Sequence, residues 1–366
     1  MKTRNKITTL IFAFVFTVIS LMCWFKTPDI YSMSERRELS KKPEFSVENV
    51  LSGKFQEEFE NYTTDQFPYR EVFRSIKATT ATYFFNKKDN NGLYLADGHL
   101  SKIEYPKNNK MIDNAIEKFD FLYNTYMKNS DVNIYLSIIP DKNYFLASKN
   151  GYLSLDYKSF INEFKDRLSY MKYIDVIPYL SIDDYYRTDS HWKQEKIGDV
   201  AYELGLKMGV NVESKYDVNT LETPFRGVYL GQAALNVKPD SIKYLTNDIL
   251  NECKVTYYDT GMPKQGEMYN MEKANGKDPY EMFLSGTSAL IKIDNPNANT
   301  DKELVVFRDS YGSSLVPLLV PGYKSITVVD IRYVQSNFVG NFVKFTNQDV
   351  LFMYSTTLLN NSMAFR

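Results

Sequence analysis

The stretch ELVVFRDSYGSSLVPLLVPGYKSITVVDIRY, residues 303–333, decides the fold. Leu304–Phe307 and Ile326–Val329 are short apolar runs without polar alternation, the pattern of strands covered on both faces of a sheet. The segment between them, YGSSLVPLLV, reads as a helix, so the order is strand, helix, strand. DVLFMYS (349–355) adds another such strand, and VNIYLSIIP (132–140) an earlier one. MIDNAIEKFDFLYNTYMKN, DYKSFINEFKDRLSYM and KQEKIGDVAYELGLKMG read as helices, and YIDVIPYL (173–180) as a further strand. This alternation predicts an α/β fold of three layers, α/β/α, around a mostly parallel sheet. Residues 210–297 break it, being rich in Gly, Pro, Asn and Tyr, and are expected to form a partly β insertion over one sheet edge. NNGLYLADGHLSKIEYP (90–106) predicts a hairpin, with His99 near its turn as a plain surface residue.

The N-terminus has a basic head, residues 1–6, then an uncharged apolar segment from Ile7 to Phe25. At about 1.5 Å per residue such a helix spans roughly 28 Å, close to the bilayer hydrocarbon thickness. Lys2, Arg4 and Lys6 favour a cytoplasmic start, leaving the remainder outside the cell. The segment ends in Met22-Cys23-Trp24-Phe25 rather than in small residues, so an uncleaved single-pass anchor is expected. Residues 26–90 follow as a helical lead-in, with Phe55, Phe59 and Tyr62 on one helix face and Val72, Ile76 and Tyr83 on the next. Pro68 breaks the helix between them. Residues 91–366 form the principal domain.

Composition excludes some functions. A net charge of −1 gives no basic field for nucleic acid. The two cysteines, Cys23 and Cys253, lie on opposite sides of the expected membrane boundary and cannot form a structural disulfide. With two histidines besides, ligands are too few for a typical zinc site, and no metal or cofactor is expected. The abundance of Tyr and Phe suits grooves that bind sugars, but AT-rich codon usage accounts for it as well.

Two segments carry chemistry. In FRDSYG, Ser310 sits where a strand turns into a helix, so its hydroxyl faces the sheet's carboxyl edge near free N–H groups. Taken alone, Ser310 or Asp309 there reads as a helix cap. In TDSHW (188–192), Asp189 and His191 are the residue types of an oriented general base: carboxylate to imidazole, imidazole to hydroxyl. Taken alone, that segment reads as a surface histidine before a helix, with Ser190 or Thr188 as its cap. Together they allow a Ser-His-Asp triad.

RTDSHWKQEKIGDVAYEL resembles the signature block of the bacterial DHHW family, and residues 303–334 resemble its second block. SERRELSKKPEF, LSGKFQEEFENYTTDQFPYR, IPDKNYF and FRGVY also look like family segments. The family is similar to the SGNH-hydrolase-like domains of the alginate O-acetyltransferases AlgJ and AlgX, in which D-x-H precedes the serine. The resemblance implies an SGNH-like fold with Ser310, His191 and Asp189 as the catalytic triad. It further implies oxyanion donors at Ser310, Tyr311 and Thr287, and substrate contacts from Arg332, Lys142, Tyr311 and Trp192. Trp192 is expected to pack behind the histidine, and Ser190 to cap the helix. The implied activity is O-acetyl transfer to a polysaccharide outside the cell. The implied partners are a membrane-bound O-acyltransferase as acetyl source, a polysaccharide acceptor and a polysaccharide synthase complex. An acetyl esterase with the same triad, and a non-catalytic polysaccharide-binding scaffold, remain open at this point.

Overall fold

The structure is a computed structural model and describes residues 2–259 and 261–366. The chain divides into two compact units: the chain up to Asn91 with Leu230–Val237, and Gly92–Tyr229 with Lys238–Arg366. Leu230–Val237, expected within the insertion of the principal domain, thus groups with the first unit.

The second unit holds a sheet of eight strands: β1 (Asn133–Ile139), β2 (Lys172–Tyr173), β3 (Lys254–Tyr257), β4 (Lys264–Gly266), β5 (Leu290–Asp294), β6 (Glu303–Arg308), β7 (Ser325–Val329) and β8 (Asp349–Ser355). Their spatial order is β4-β3-β5-β7-β6-β8-β1-β2. From β7 to β2 all pairings are parallel, while β5, β3 and β4 join antiparallel to one another and to β7. The insertion therefore does not merely lie over the sheet edge. Its strands β3, β4 and β5 extend it. YIDVIPYL pairs only at its first residue, because Ile177–Tyr179, with Pro178 inside, turns as a 3-10 helix.

Both sheet faces are buried, as the unbroken apolar strands require. Tyr135, Val306, Val328 and Leu351 belong to one core cluster, with Val200 and Leu204 of helix Gly198–Met208 and Leu315 and Val316 of helix Tyr311–Leu319. Their chain neighbours Leu136, Phe307, Val329 and Phe352 belong to another. Phe119 of helix Asn109–Leu122 and Phe160 and Phe164 of helix Tyr157–Arg167 complete that second cluster. The two-residue side-chain period thus builds the expected α/β/α layering.

The predicted hairpin is present as Leu93–Ala96 and His99–Lys102, but His99 is buried, not a surface residue. Its two-residue turn holds Asp97 and Gly98 at positive φ, and the strand that follows is buried from its first residue.

In the first unit, an apolar α-helix runs Lys2–Phe25, and Thr3–Phe25 is long and apolar enough to cross a membrane. Helices Lys54–Asp65 and Arg70–Thr79 follow, with Phe67-Pro68-Tyr69 between them.

Candidate active site

Strand β6 delivers Arg308 and Asp309 to the sheet's carboxyl edge, and Ser310 begins the helix Tyr311–Leu319. Ser310 does not cap that helix; Asp309 does, accepting from Tyr311 N–H at 3.0 Å. The second Asp309 oxygen accepts from Ser355 N–H at the end of β8 (2.8 Å), tying neighbouring strand ends together. Ser310 Oγ is left facing His191 Nε2 at 2.7 Å.

His191 comes from the loop before helix Gly198–Met208. That loop is closed by a bridge between Tyr185 and Trp192 and by Tyr186 N–H donating to His191 O (3.0 Å). His191 Nδ1 lies 2.6 Å from Asp189 Oδ1. A carboxylate only accepts, so Nδ1 carries the proton and Nε2 is left to accept from the Ser310 hydroxyl. Asp189 is fully buried, and Val228 N–H donates to its other oxygen at 2.9 Å. Val228 reaches it because residue 227 is glycine: a Cβ there would sit 2.3 Å from Thr188 O and 2.5 Å from Asp189 Cβ. Asp240 holds the approach to the loop, accepting from Arg187 N–H (3.0 Å) and Thr188 N–H (2.8 Å). Asp189 and His191 are therefore in line with Ser310, 119 residues further along the chain.

Tyr280 of the insertion stacks on the imidazole, with centroids 3.9 Å apart and planes at 12°. Its hydroxyl bonds Ser314 Oγ at 2.8 Å, and burial raises its pKa far above that of an exposed phenol. The neutral ring restricts imidazole rotation and presents a π face to an imidazolium. Sequence reading missed Tyr280, Gly227, Val228 and Asp240. Only the small residue in FRGVY offered any signal.

The other predicted site residues lie as follows. Trp192 is completely buried and donates its indole N–H to Tyr311 O (3.1 Å) and Ser314 Oγ (2.9 Å). It packs behind the site, as the loop reading expected, and is walled off from substrate. Tyr311 is 5% exposed and its hydroxyl donates to Ser190 O at 2.7 Å. With its N–H held by Asp309, Tyr311 is not available as the expected oxyanion donor. For Ser310 N–H, no protein acceptor is found among the described residues.

Thr287 is exposed on a cleft with Lys264, Asn270 and Lys273, a cleft that none of the triad residues lines. Leu284, Ser285 and Gly286 all take positive φ and turn the chain before Thr287 is reached. Gly286 O instead accepts from the buried Arg308 at 3.1 Å. The oxyanion assignment of Thr287 is not supported by this geometry.

Lys142 is buried and donates through Nζ to Tyr186 O (2.9 Å) and Arg187 O (3.3 Å), with the Tyr229 ring 5.1 Å away. Burial lowers its pKa to about 7, against the pull of Asp189 and Asp240. It holds the histidine loop, and faces no substrate. Arg332 donates Nε (2.9 Å) and Nη2 (2.6 Å) to the buried Asp330, which also lies 3.6 Å from Arg308. Burial opposes its charge, but Asp330 more than offsets that and raises its pKa. Arg332 closes a sheet end as an ion pair. Ser190, expected to cap a helix, lies too far ahead of one: its Oγ is 3.4 Å from Asp189 Oδ1 and 3.5 Å from His191 Nδ1.

No protein-family profile matches the chain, and no curated protein matches it. Solved structures do. A DHHW family protein from Eubacterium siraeum superposes with a TM-score of 0.59 at 22% identity, covering 75% of this chain and 95% of that one. Bacillus cereus PatB1, in a structure with a sulfonyl adduct, superposes with a TM-score of 0.58 at 19% identity, covering 73% and 95%. The O-acetyltransferase domain of Pseudomonas putida AlgJ gives 0.44 at 13% identity, covering 74% and 92%, too distant to carry weight here. The chain is thus similar in fold to a DHHW family protein and to PatB1 over nearly their full lengths.

Proposed function

We propose that the chain is a membrane-anchored O-acetyltransferase that works outside the cell on a polysaccharide, with Ser310 as nucleophile. The carrying observation is the line from Asp189 Oδ1 through His191 to Ser310 Oγ, with contacts of 2.6 and 2.7 Å. Fold likeness to a DHHW protein and to PatB1 is consistent with this reading.

In the proposed mechanism, Ser310 Oγ attacks the carbonyl carbon of an acetyl donor while its proton passes to His191 Nε2. Asp189, fixed by Val228 N–H, stabilises the imidazolium, and Tyr280 lies against its face. Ser310 N–H faces the oxyanion. When the tetrahedral adduct collapses, the donor's leaving atom takes the proton from His191 and acetyl-Ser310 remains. A sugar hydroxyl then gives its proton to His191 and attacks the acyl carbon, and Ser310 Oγ departs with that proton. The acetyl source is a membrane-bound O-acyltransferase, and a synthase complex delivers the polymer. The apolar N-terminal helix keeps the domain beside both.

Incubating the full chain with an activated acetyl ester and oligosaccharides should yield acetylated sugar, and Ser310→Ala should lose at least about a thousandfold in rate. A sulfonyl fluoride should add to Ser310 alone, read by peptide mass. Acetate release with no sugar product would make it an esterase. Unchanged polymer acetylation in cells carrying Ser310→Ala would make it a scaffold.

A further inference from the structure

Helix Arg70–Thr79 is built inside out. Its charged face points inward: Arg70 Nη2 lies 2.6 Å and Arg74 Nη2 3.1 Å from the two oxygens of Glu35, and Ala78 beside them is buried. Arg74 also donates to Gly231 O at 2.9 Å. The apolar face points outward, with Val72, Phe73 and Ile76 about half exposed. The helical turns that continue it end in Tyr83, Phe84 and Phe85, still more exposed, followed by Lys87 and Lys88. In water this orientation leaves six large apolar side chains of residues 72–85 uncovered.

What covers it is indicated by where the apolar N-terminal helix ends. Just beyond Phe25, Asp29 and Gln66 bond reciprocally: Asp29 N–H to Gln66 Oε1 (2.9 Å) and Gln66 Nε2 to Asp29 O (2.8 Å). Gln66 closes helix Lys54–Asp65, so the first helix is held at its exit to the end of that helix. A cleft of about 790 Å³ has Cys23, in the last turn of the first helix, on one side and Phe67, Phe73 and Lys77 among its other lining residues. Phe73 thus lines the same cleft as the end of the apolar helix. Aromatic side chains followed by lysines are the composition of a bilayer's interfacial zone.

We infer that the outward face of residues 72–85 docks on the lipid surface, as an interfacial element beside the membrane span. This rests on the reading of Lys2–Phe25 as a span. It gives the first unit a second membrane contact besides the span.

The test uses the full chain in phospholipid vesicles, with Cys23 and Cys253 changed to serine. Single cysteines at Trp24→Cys, Ile76→Cys, Phe84→Cys and, as an exposed control in the second unit, Lys158→Cys carry an environment-sensitive dye. Quenching lipids carry a nitroxide on the acyl chain. The expected result is blue-shifted emission and loss of intensity at positions 24, 76 and 84, and neither at 158. Quenching at 24 but not at 76 and 84 overturns lipid docking and leaves the span standing. A blue shift at 76 and 84 without quenching overturns it in favour of a protein cover, a second copy or another chain. No quenching at 24 overturns the span and the docking with it.

Discussion

The chain has two histidines, and each follows an aspartate by two residues: Asp97-Gly98-His99 and Asp189-Ser190-His191. Only one pair becomes an acid–base relay. At 97–99 the turn holds Asp97 and Gly98 at positive φ, and the Asp97 carboxylate swings to Lys149 Nζ, 2.7 Å away on the surface. His99 Nδ1 donates to the Asp97 carbonyl instead (3.1 Å), and Nε2 is buried with no partner among the described residues. At 189–191 the carboxylate is the buried group, held by Val228 N–H, and Nε2 faces a serine 119 residues away. The local pattern is the same, so the difference lies in what the rest of the fold packs against it. A D-x-H becomes a dyad when its aspartate is buried by a donor from another segment.

The sharpest way to break this comparison is to delete the imidazoles in turn. His191→Ala should lower the transfer rate on the order of 10⁴-fold, the scale for loss of a triad member, and His99→Ala should leave it at the wild-type level. A comparable loss in both, measured on folded protein, would erase the distinction.

Next are the aspartates. Asp189→Asn keeps the side-chain shape but turns the acceptor toward Nδ1 into an amide, favouring the wrong tautomer. A fall of about 10³–10⁴-fold in kcat is expected. Asp97→Asn removes one exposed ion pair and should not change kcat. Steady-state kinetics on both variants checks the contrast.

The two D-x-H segments also mark how far sequence carries. The buried strands were legible because residues such as Val305-Val306-Phe307 alternate between two apolar cores and show no polar period. Ser310 at the end of β6 and the D-x-H ahead of it were legible as residue types at strand and loop ends. What supports them was not. Tyr280 and Val228 reach the site from segments whose Gly- and Pro-rich composition says nothing of direction. Thr287 was misplaced because three consecutive left-handed residues, two of them not glycine, turn the chain away. Lys142, a substrate contact only by the family resemblance, is drawn into the core by Tyr186 O and Arg187 O, partners that its own segment does not reveal.

Lys142 sharpens the comparison, since it anchors the productive loop; the hairpin of the other instead gives Leu100 N–H to Arg187 O (2.8 Å). Lys142→Met should lower kcat more than it changes KM, by up to about a hundredfold, the scale for moving a catalytic group by an ångström. Lys142→Arg should recover part of the loss. The sign of the stability effect follows from its lowered pKa: between about 7 and 10.5 the unfolded chain holds more protons, so wild-type stability rises with pH across that window. Urea unfolding at several pH values should show a shallower rise in Lys142→Met.

The smallest effect is expected at His99, and it is one of stability. Its Nε2 has no partner among the described residues, and burial holds its pKa below the ordinary 6.5. The unfolded chain therefore takes up a proton more readily as pH falls below about 6.5, and the folded state loses stability there. His99→Leu removes both the uncompensated polar atom and the proton uptake. At pH 7 it should be neutral or stabilising by up to about 1 kcal/mol, since replacing an unsatisfied buried group by an apolar one restores no penalty. At pH 5 its advantage over the wild type should grow. A loss of stability at pH 7, or an advantage that shrinks on acidification, would mean that His99 has a partner the fold supplies only in solution, and the contrast between the two D-x-H segments would then be one of degree.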